Sequence, residues 1–277
     1  MELEPLTYAP IRFDGEIWDR RAEAGAPGAA TAGASPGELR IVTWNVWFGG
    51  YRFAARGAAL LAELGRREPD VIALQEVTAP LLAAILGEPW VRAGYQVSEE
   101  HVLGYDVAVL SRAPIVRLTT LPLPSGMGRR LLVARLACGL DVATVHLEST
   151  GACAEERAAQ LRIIQPFLAR EGADAVLLGD MNFEPGAPLE TAALDPSFVD
   201  VWPALRPGEP GWSVDSERNP MRWDARPGKP SQKRIDRVFA RAGRWRPASI
   251  ELIGTSPIEP RTFISDHFGL EVVLRAR

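Results

Sequence analysis

Five short clusters of polar residues stand at or near the ends of hydrophobic runs that are typical of β-strands. They hold carboxylates, amides, imidazoles and hydroxyls, the groups that hydrolytic enzymes use to bind metal ions and to move protons. A single such residue at a strand end usually belongs to a turn, but two of the chain's three histidines fall in these clusters. Their combination therefore favours one shared catalytic site. In chain order the clusters are Thr43-Trp44-Asn45, Gln75-Glu76, His146-Leu147-Glu148-Ser149, Gly179-Asp180-Met181-Asn182 and Ser265-Asp266-His267.

Asn45 and Glu76 offer the hard oxygen atoms that a magnesium ion prefers. Mg²⁺ commonly binds proteins through one or two carboxylates and keeps several of its water ligands. One glutamate carboxylate and one asparagine amide oxygen suit such a site. We therefore expect these two residues to bind Mg²⁺.

Asp180 and Asn182 are two positions apart, so their side chains point to the same side of an extended backbone. A carboxylate base next to an amide donor would orient an attacking water and hold a phosphate oxygen. His267 would face the phosphate, where an imidazole N–H stabilises the charge on a pentacoordinate phosphorus. Because neighbouring side chains point apart, Asp266 is expected to orient a different group, such as His146.

The clusters need a scaffold of strands and helices, and the pattern that begins at Leu39 supplies one. Runs rich in Val, Ile and Leu alternate there with helical patterns and turn clusters. Eight or nine strands with a few helices between them predict an α/β fold in which two packed sheets are covered by helices. The predicted strands are residues 40–46, 70–75, 105–111, 130–136, 140–147, 174–179, 235–240, 248–253 and 269–275, and the predicted helices are residues 54–67, 78–86 and 154–170.

The first 38 residues differ from the rest of the chain. Residues 22–38 are rich in Ala, Gly and Pro and have almost no large apolar side chains, so they bury too little surface to offset the entropy of ordering them. We expect residues 1–38 to form an N-terminal arm and a flexible linker, and residues 39–277 to form the catalytic domain. The sequence shows no secretory leader and no run of about 20 apolar residues. This predicts a cytoplasmic protein without a membrane-spanning segment.

Charge is unevenly distributed along the chain. The whole chain has a net charge of −4, whereas residues 206–246 hold nine Arg and two Lys against five acidic residues. A basic segment on an acidic protein suits a phosphodiester backbone, although a solvated loop explains the same composition equally well. If Arg222, Arg226, Lys233 and Arg234 line the same groove as Glu76, a polyanionic substrate is favoured.

Taken in order, the motifs TWN, LQEV, HLEST, GDMN and SDHFGL resemble those of the endonuclease/exonuclease/phosphatase superfamily. This superfamily includes deoxyribonuclease I, abasic-site endonucleases, sphingomyelinases and inositol-phosphate phosphatases. Within it, the tyrosyl-DNA phosphodiesterases are the branch that the chain resembles most, over about residues 40–276. The closer resemblance rests on GYD at 104–106, RLL at 130–132, HLEST at 146–150, ER at 156–157, RIDRVF at 234–239 and SDHFGL at 265–270.

The resemblance implies a four-layer α/β sandwich of the deoxyribonuclease I type, with the active site in a cleft at the edge of the sheets. It implies Mg²⁺ or Mn²⁺ held by Glu76 with Asn45 close by. Asp180 would activate the attacking water, and His267 would stabilise the transition state with support from Asp266. The residues implied for the phosphate oxygens are Asn182, His146 and Ser149, and those suggested for the rest of the substrate are Tyr105, Arg130, Trp212 and Arg234. The implied partner is a DNA end, bound by a monomeric enzyme.

The predicted function is that of a metal-dependent phosphodiesterase, which hydrolyses a phosphoester by in-line attack of water at a DNA 5′ end, including a 5′-phosphotyrosyl adduct. Two positions depart from the tyrosyl-DNA pattern: Val214 replaces a tryptophan that walls the pocket, and Glu184 replaces an arginine. An abasic-site endonuclease, a lipid phosphodiesterase and a small-molecule phosphatase keep the fold with another substrate. A non-catalytic binding module is a further alternative. A serine esterase is remote, because the matching GASPG at 33–37 has no strand before it.

Overall fold

Two large β-sheets form the centre of the molecule. The computed structural model describes residues 4–20, 37–172, 174–221, 230–241 and 243–277. Its strands are β1 (Leu6–Tyr8), β2 (Arg12–Phe13), β3 (Trp18–Asp19), β4 (Glu38–Asn45), β5 (Val71–Thr78), β6 (Gln96–Val97), β7 (Tyr105–Ser111), β8 (Ile115–Pro122), β9 (Arg130–Leu136), β10 (Leu140–His146), β11 (Asp174–Asp180), β12 (Val199–Asp200), β13 (Val214–Asp215), β14 (Gln232–Lys233), β15 (Asp236–Arg241), β16 (Trp245–Ile253) and β17 (Gly269–Ala276). One sheet has seven strands in the order β1-β8-β9-β10-β11-β15-β12, and the other has six in the order β16-β17-β4-β5-β7-β6.

Helices cover the outer faces of both sheets. They are α1 (Phe53–Arg67), α2 (Ala79–Gly87), α3 (Pro89–Gly94), α4 (Ala154–Glu171) and α5 (Pro188–Ala192). A further helix, α6 (Val201–Leu205), instead joins the apolar cluster between the sheets. Alternate residues of a strand point to opposite faces, so in β4 Ile41 joins the apolar cluster between the sheets while Val42 joins the one that contains Leu60 of α1. On the far side, Val145 of β10 shares a buried cluster with Leu161 of α4. The order helix, sheet, sheet, helix confirms the predicted four-layer α/β sandwich.

None of these helices, in the part of the chain that the structure describes, is both long and apolar enough to cross a membrane.

Four central strands bring the polar clusters to one place. β4 pairs in parallel with β5, and β10 pairs in parallel with β11. Asn45 lies opposite Gln75 in the first pair, and His146 lies opposite Asp180 in the second. Parallel strands end at the same edge of a sheet, and the two sheets pack with β10 against β5 and β11 against β4. The polar ends of all four strands therefore converge.

Residues 4–20 pack along both sheets. β1 pairs antiparallel with β8 of the seven-stranded sheet, and the fully buried Ile11 forms a bridge with Val97 of the six-stranded sheet. Trp18 Nε1 also donates a 3.1 Å hydrogen bond to the carbonyl of Leu86. This part of the predicted arm is thus joined to the region that begins at residue 39. Most of the predicted linker falls in residues 21–36, outside the described residues.

Candidate active site

A buried centre at the converging strand ends unites four of the candidate residues. Asn45 Nδ2 donates hydrogen bonds to Glu76 Oε1 over 3.2 Å and to Asp180 Oδ2 over 3.0 Å. His146 Nε2 lies 3.4 Å from Asp180 Oδ2 and 4.0 Å from Glu76 Oε1. These residues come from four strands of two sheets, and three of them are almost completely buried. The structure therefore places both carboxylates, the amide and the imidazole in direct contact.

Glu76 occupies an irregularity in β5. The register between β5 and β7 shifts between Leu74 and Val77, and Glu76 has a φ of 63°, which is unusual for a residue other than glycine. Such a backbone costs about 1–3 kcal/mol and clusters at functional sites. The Glu76 carboxylate accepts a 2.9 Å hydrogen bond from the Phe48 backbone N–H through Oε2. Burial and the nearby carboxylate of Asp266 raise the pKa of Glu76.

The chain turns sharply between Asp180 and Asn182. Asn182 has a φ of 55°, and its backbone N–H donates a 2.9 Å hydrogen bond to Asp180 Oδ1. The prediction of an extended backbone here is wrong, and it is the Asn182 backbone N–H that this turn brings to the Asp180 carboxylate. The turn directs Asn182 Nδ2 to the carbonyl of Leu147 at 3.1 Å and to Ser149 Oγ at 3.4 Å. Asn182 and Ser149 therefore form a pair of polar groups beside the base.

His267 is held by a carboxylate that the sequence analysis did not select. Its Nδ1 donates a 2.7 Å hydrogen bond to Asp236 Oδ2, and both residues are buried. Asp236 lies opposite Asp180 in the β11–β15 pair, and its backbone N–H donates to Ser213 Oγ. Asp266 was predicted to support His267. At Nδ1 of His267, Asp236 provides this support. The sequence could have indicated Asp236, since this residue belongs to the RIDRVF stretch at the start of a predicted strand.

The surrounding charges give the three central titratable groups different protonation. Burial, with Asp236 adding repulsion, raises the pKa of Asp180 to about 7. Burial opposes a charge on His267, but the carboxylates of Asp236, Asp266 and Asp180 outweigh it and raise the pKa of His267 to about 10. Burial and the Arg129 guanidinium hold the pKa of His146 well below its usual range. Near neutral pH the centre thus holds a titrating carboxylate, an imidazolium and a neutral imidazole.

The donor set fits a divalent cation. Ligand atoms of Asp180, Asp236 and His267 lie within 4.8 Å of one another. The protonated His267 has no lone pair for a cation, whereas Asp236 Oδ1 is buried and has no hydrogen-bond partner among the described residues. Carboxylate oxygens are the ligands that Mg²⁺ and Mn²⁺ prefer, and Glu76 offers two more beside this group. Asn45 differs from the prediction, because its amide oxygen accepts a 3.0 Å hydrogen bond from Trp47 N. Its amide nitrogen faces the carboxylates, so Asn45 orients them here instead of offering an oxygen to the cation.

Arg129 lies in the centre, whereas its predicted neighbour Arg130 is engaged elsewhere. Arg129 Nη1 lies 3.1 Å from His146 Nδ1, and Nη2 donates a 2.8 Å hydrogen bond to Ser149 Oγ. The Arg130 guanidinium binds Asp106 at 2.8 Å and Glu99 at 3.0 Å, two carboxylates that neutralise it. Of these two arginines, Arg129 is therefore the one that places its positive charge in the site. Alternation along the strand edge explains the difference, since adjacent side chains point apart.

Tyr105 forms an aromatic wall next to this arginine. Its ring stacks on that of Phe48 with centroids 4.5 Å apart and an interplanar angle of 5°. The Arg129 guanidinium lies 5.4 Å from the centre of the Tyr105 ring, and the His146 ring lies 6.3 Å from it. Phe48 is 46% exposed. The candidate centre is thus bordered by an apolar surface that opens to solvent.

Within the described residues, the other two substrate candidates make their contacts away from the centre. Arg234 Nη1 binds both carboxylate oxygens of Asp200 at 2.9 Å. Trp212 lines a separate surface groove with Trp202 and Arg206. Arg222 and Arg226 belong to residues 222–229, outside the described residues. The basic character of residues 206–246 is therefore partly cancelled by internal ion pairs.

Comparisons with known proteins identify the family of this chain. The family model described as the Endonuclease/Exonuclease/phosphatase family matches residues 42–267. The chain is similar to tyrosyl-DNA phosphodiesterase 2 of Homo sapiens, with 29% identity over 96% of this chain and 76% of the human protein. It is similar to tyrosyl-DNA phosphodiesterase 2 of Gallus gallus at 29% identity, over 83% of this chain but only 65% of the chicken protein.

A solved structure of a similar protein has the same fold. The fold matches that of D. rerio TDP2 complexed with a single-strand DNA product, with a TM-score of 0.78 and 26% identity. The match covers 87% of this chain and all of the zebrafish chain. The two chains therefore share their overall fold.

Proposed function

Since this chain belongs to the endonuclease/exonuclease/phosphatase family, we propose that it is a divalent-metal-dependent phosphodiesterase that hydrolyses a phosphoester at a DNA 5′ end, including a 5′-tyrosyl adduct. One observation carries this proposal. The buried Asp180 carboxylate, the His267 imidazolium and the Glu76 carboxylate converge on one centre, although they lie far apart in the chain. We assign to them the roles of base, charge-stabilising group and metal ligand. That is the set of groups that attack of water on phosphorus requires.

Asp180 serves as the group that orients the water and accepts its proton. Its pKa of about 7 suits this role, because a general base is most effective when its pKa lies near the working pH. The hydrogen bonds from Asn45 Nδ2 and Asn182 N fix its two oxygens. Asp180 is thereby oriented before the substrate arrives.

His267 and His146 differ in what they offer to the phosphate. His267 is positively charged near neutral pH because Asp236 holds its Nδ1–H, so its Nε2–H can stabilise the negative charge that develops on phosphorus-bound oxygens. His146 is neutral and its Nδ1 faces the permanently charged Arg129, which can only donate. The proton of His146 therefore resides on Nε2, where it faces Asp180.

The remaining donors surround the same space. Arg129, Ser149 and Asn182 form a connected group that suits the other phosphate oxygens. When bound, Mg²⁺ or Mn²⁺ at Glu76 would neutralise charge on the scissile phosphate and orient it. Glu76 is prepared for this by the hydrogen bonds from Asn45 and Phe48.

The DNA substrate is supported by the named relatives and by the cationic centre. The human and chicken proteins carry the name tyrosyl-DNA phosphodiesterase 2, and the zebrafish structure contains a single-strand DNA product. Val214 is fully buried and cannot wall a pocket as a tryptophan would, and the exposed Glu184 adds a negative charge. Because of these two differences, the assay must establish which adduct at the DNA 5′ end the protein hydrolyses. A role in DNA repair, a cytoplasmic location and a monomeric state form part of the proposal.

A side-by-side assay tests the function. Purified protein is supplied with Mg²⁺ and three substrates: a 5′-tyrosyl oligonucleotide, abasic duplex DNA and a phospholipid with a phosphodiester head group. We expect release of a 5′-phosphate oligonucleotide from the first substrate, and no activity in E76Q. Preference for either of the other substrates would replace the proposed substrate, and binding of Mg²⁺ without any hydrolysis would favour a non-catalytic protein.

A further inference from the structure

Arg56 of α1 is a buried arginine whose hydrogen bonds all go to the backbone. It is 2% exposed, and each of its five N–H groups has a carbonyl partner. The acceptors are Tyr51 O for Nε at 2.8 Å, Val46 O and Ile264 O for Nη1 at 3.0 and 3.2 Å, and Trp47 O at 3.2 Å and Gly49 O for Nη2. Buried arginines usually pair with a carboxylate. The Arg56 guanidinium instead donates its hydrogen bonds to main-chain carbonyl groups.

The carbonyls belong to two segments that adjoin residues of the candidate centre. Residues 46–51, which we call the β4–α1 loop, follow Asn45 directly. Within this loop, Trp47 N donates to Asn45 Oδ1 and Phe48 N donates to Glu76 Oε2. The second segment begins at Ile264 and runs directly into Ser265-Asp266-His267.

The two segments are also tied to each other beside Arg56. Ser265 Oγ donates a 2.6 Å hydrogen bond to the carbonyl of Asn45. The Arg56 guanidinium stacks over the Trp47 ring at 4.6 Å from its centre. Trp47 has a φ of 55°, a left-handed conformation that a loop does not adopt without surrounding contacts. Arg56 therefore supplies contacts that stabilise an unfavourable loop conformation.

We propose that Arg56 is a positioning residue for the divalent-cation site, which fixes the β4–α1 loop and the segment before His267 so that the Glu76 carboxylate is oriented before a cation binds. The inference rests on the proposed function, because it requires that Glu76 be a metal ligand. Ordering a loop during binding would cost conformational entropy and weaken affinity. Because the Arg56 guanidinium orders the loop before binding, this entropy cost does not weaken the affinity for the cation.

Two variants separate the hydrogen bonds of Arg56 from its charge. R56K keeps the charge but loses the planar five-donor group, and R56M loses both. If positioning dominates, both variants bind Mn²⁺ at least tenfold more weakly. If only the charge mattered, R56M would bind Mn²⁺ more tightly, because a repelling cation near Glu76 has been removed. Binding is measured on metal-free protein by the EPR signal of unbound Mn²⁺, with no substrate present.

The matched control is R135K. Arg135 is a partly buried arginine of β9 that pairs with Asp141 and the carbonyl of Glu171, so its replacement reduces stability without touching the centre. We expect R135K to bind Mn²⁺ as the wild type does. For R56K we expect a higher Mn²⁺ concentration for half-maximal activity, with turnover largely recovered at saturation. Wild-type Mn²⁺ affinity in a folded R56K would overturn the inference alone, whereas wild-type protein that binds no Mn²⁺ would overturn the proposed function as well.

Hydrogen exchange on the wild type tests the same idea without a substitution, in case the variants do not fold. The Phe48 amide should be protected in the metal-free protein, because the β4–α1 loop is held by Arg56 beforehand. Rapid exchange of this amide that becomes slow only after Mn²⁺ is added would show that the cation orders the loop, and would overturn the inference.

Discussion

Asp236 accepts a 2.7 Å hydrogen bond from His267 Nδ1 where both side chains are buried. Of the three carboxylates that keep the imidazole protonated, this one contributes most, and it also raises the pKa of Asp180 by repulsion. One residue thus raises the pKa of both groups, which keeps His267 protonated and lets Asp180 titrate near neutral pH. The proposed reaction needs both.

The rate should depend on pH through both groups. Asp180 is active when ionised, so kcat/KM should fall as pH decreases through about 7, and His267 is active when protonated, so it should fall again as pH rises through about 10. D236N removes the partner that raises the pKa of His267, so the basic limb should move to lower pH. The measurement is a pH profile of kcat/KM at saturating Mg²⁺. A basic limb that stays in place in D236N would contradict the assignment.

Activity and stability should respond oppositely to D180N. Loss of the base should reduce kcat by about 10²–10⁴-fold. The raised pKa means that the ionised form of Asp180 is less favourable in the folded than in the unfolded protein, so it reduces stability as pH rises from about 4 through 7. In metal-free protein, D180N should therefore be more stable than the wild type at pH 8, and this advantage should shrink at pH 4. Urea unfolding at the two pH values measures the difference, and a D180N protein that is less stable at pH 8 would contradict the pKa direction.

Removal of the metal should abolish activity reversibly. Glu76 is the carboxylate that borders the centre and is held by Asn45 Nδ2 and Phe48 N. EDTA should stop hydrolysis and added Mg²⁺ should restore it, whereas E76Q should remain inactive by orders of magnitude at any practical Mg²⁺ concentration while its circular dichroism spectrum is unchanged. Full activity in EDTA would exclude the metal role.

Adjacent arginines should have separable effects. R129Q removes the donor to His146 and Ser149 and should reduce kcat by about 10²–10³-fold, which is typical for the loss of one donor to a transition-state charge. R130Q disrupts the ion pairs with Asp106 and Glu99 and should reduce the melting temperature while kcat stays near the wild-type value. Steady-state kinetics and thermal unfolding of both variants decide this. The reverse pattern would restore Arg130 as the substrate contact.

Sequence patterns predicted the central strands well because burial on both faces makes them continuously apolar. The predicted strand 105–111 agrees with Tyr105–Ser111, and the predicted helix 154–170 agrees with Ala154–Glu171. β8 was missed because exposed and buried residues mix irregularly along it, around a register shift between Ile115 and Arg117. Hydrophobic patterns therefore predict a strand well where its residues are uniformly buried.

The site was harder to predict than the fold. The sequence indicates Glu76 and Asp180, which the structure brings together, because polar residues that follow apolar runs are conspicuous. It does not indicate Arg56, because an arginine in an amphipathic helix looks solvent-exposed, and its burial follows from loops that are remote in the chain. The left-handed backbone of Asn182 likewise depends on contacts with Leu147 that no local pattern contains.

The contacts of residues 4–20 bear on how this protein should be produced. β1 occupies the outer edge of the seven-stranded sheet, and Ile11 extends the six-stranded sheet beside it. A shortened chain that starts at residue 39 would leave both of these edges with unsatisfied amide and carbonyl groups, which recruit strands of neighbouring molecules. Self-association, with precipitation at high concentration, is the expected result of such a truncation even if the catalytic centre remains intact.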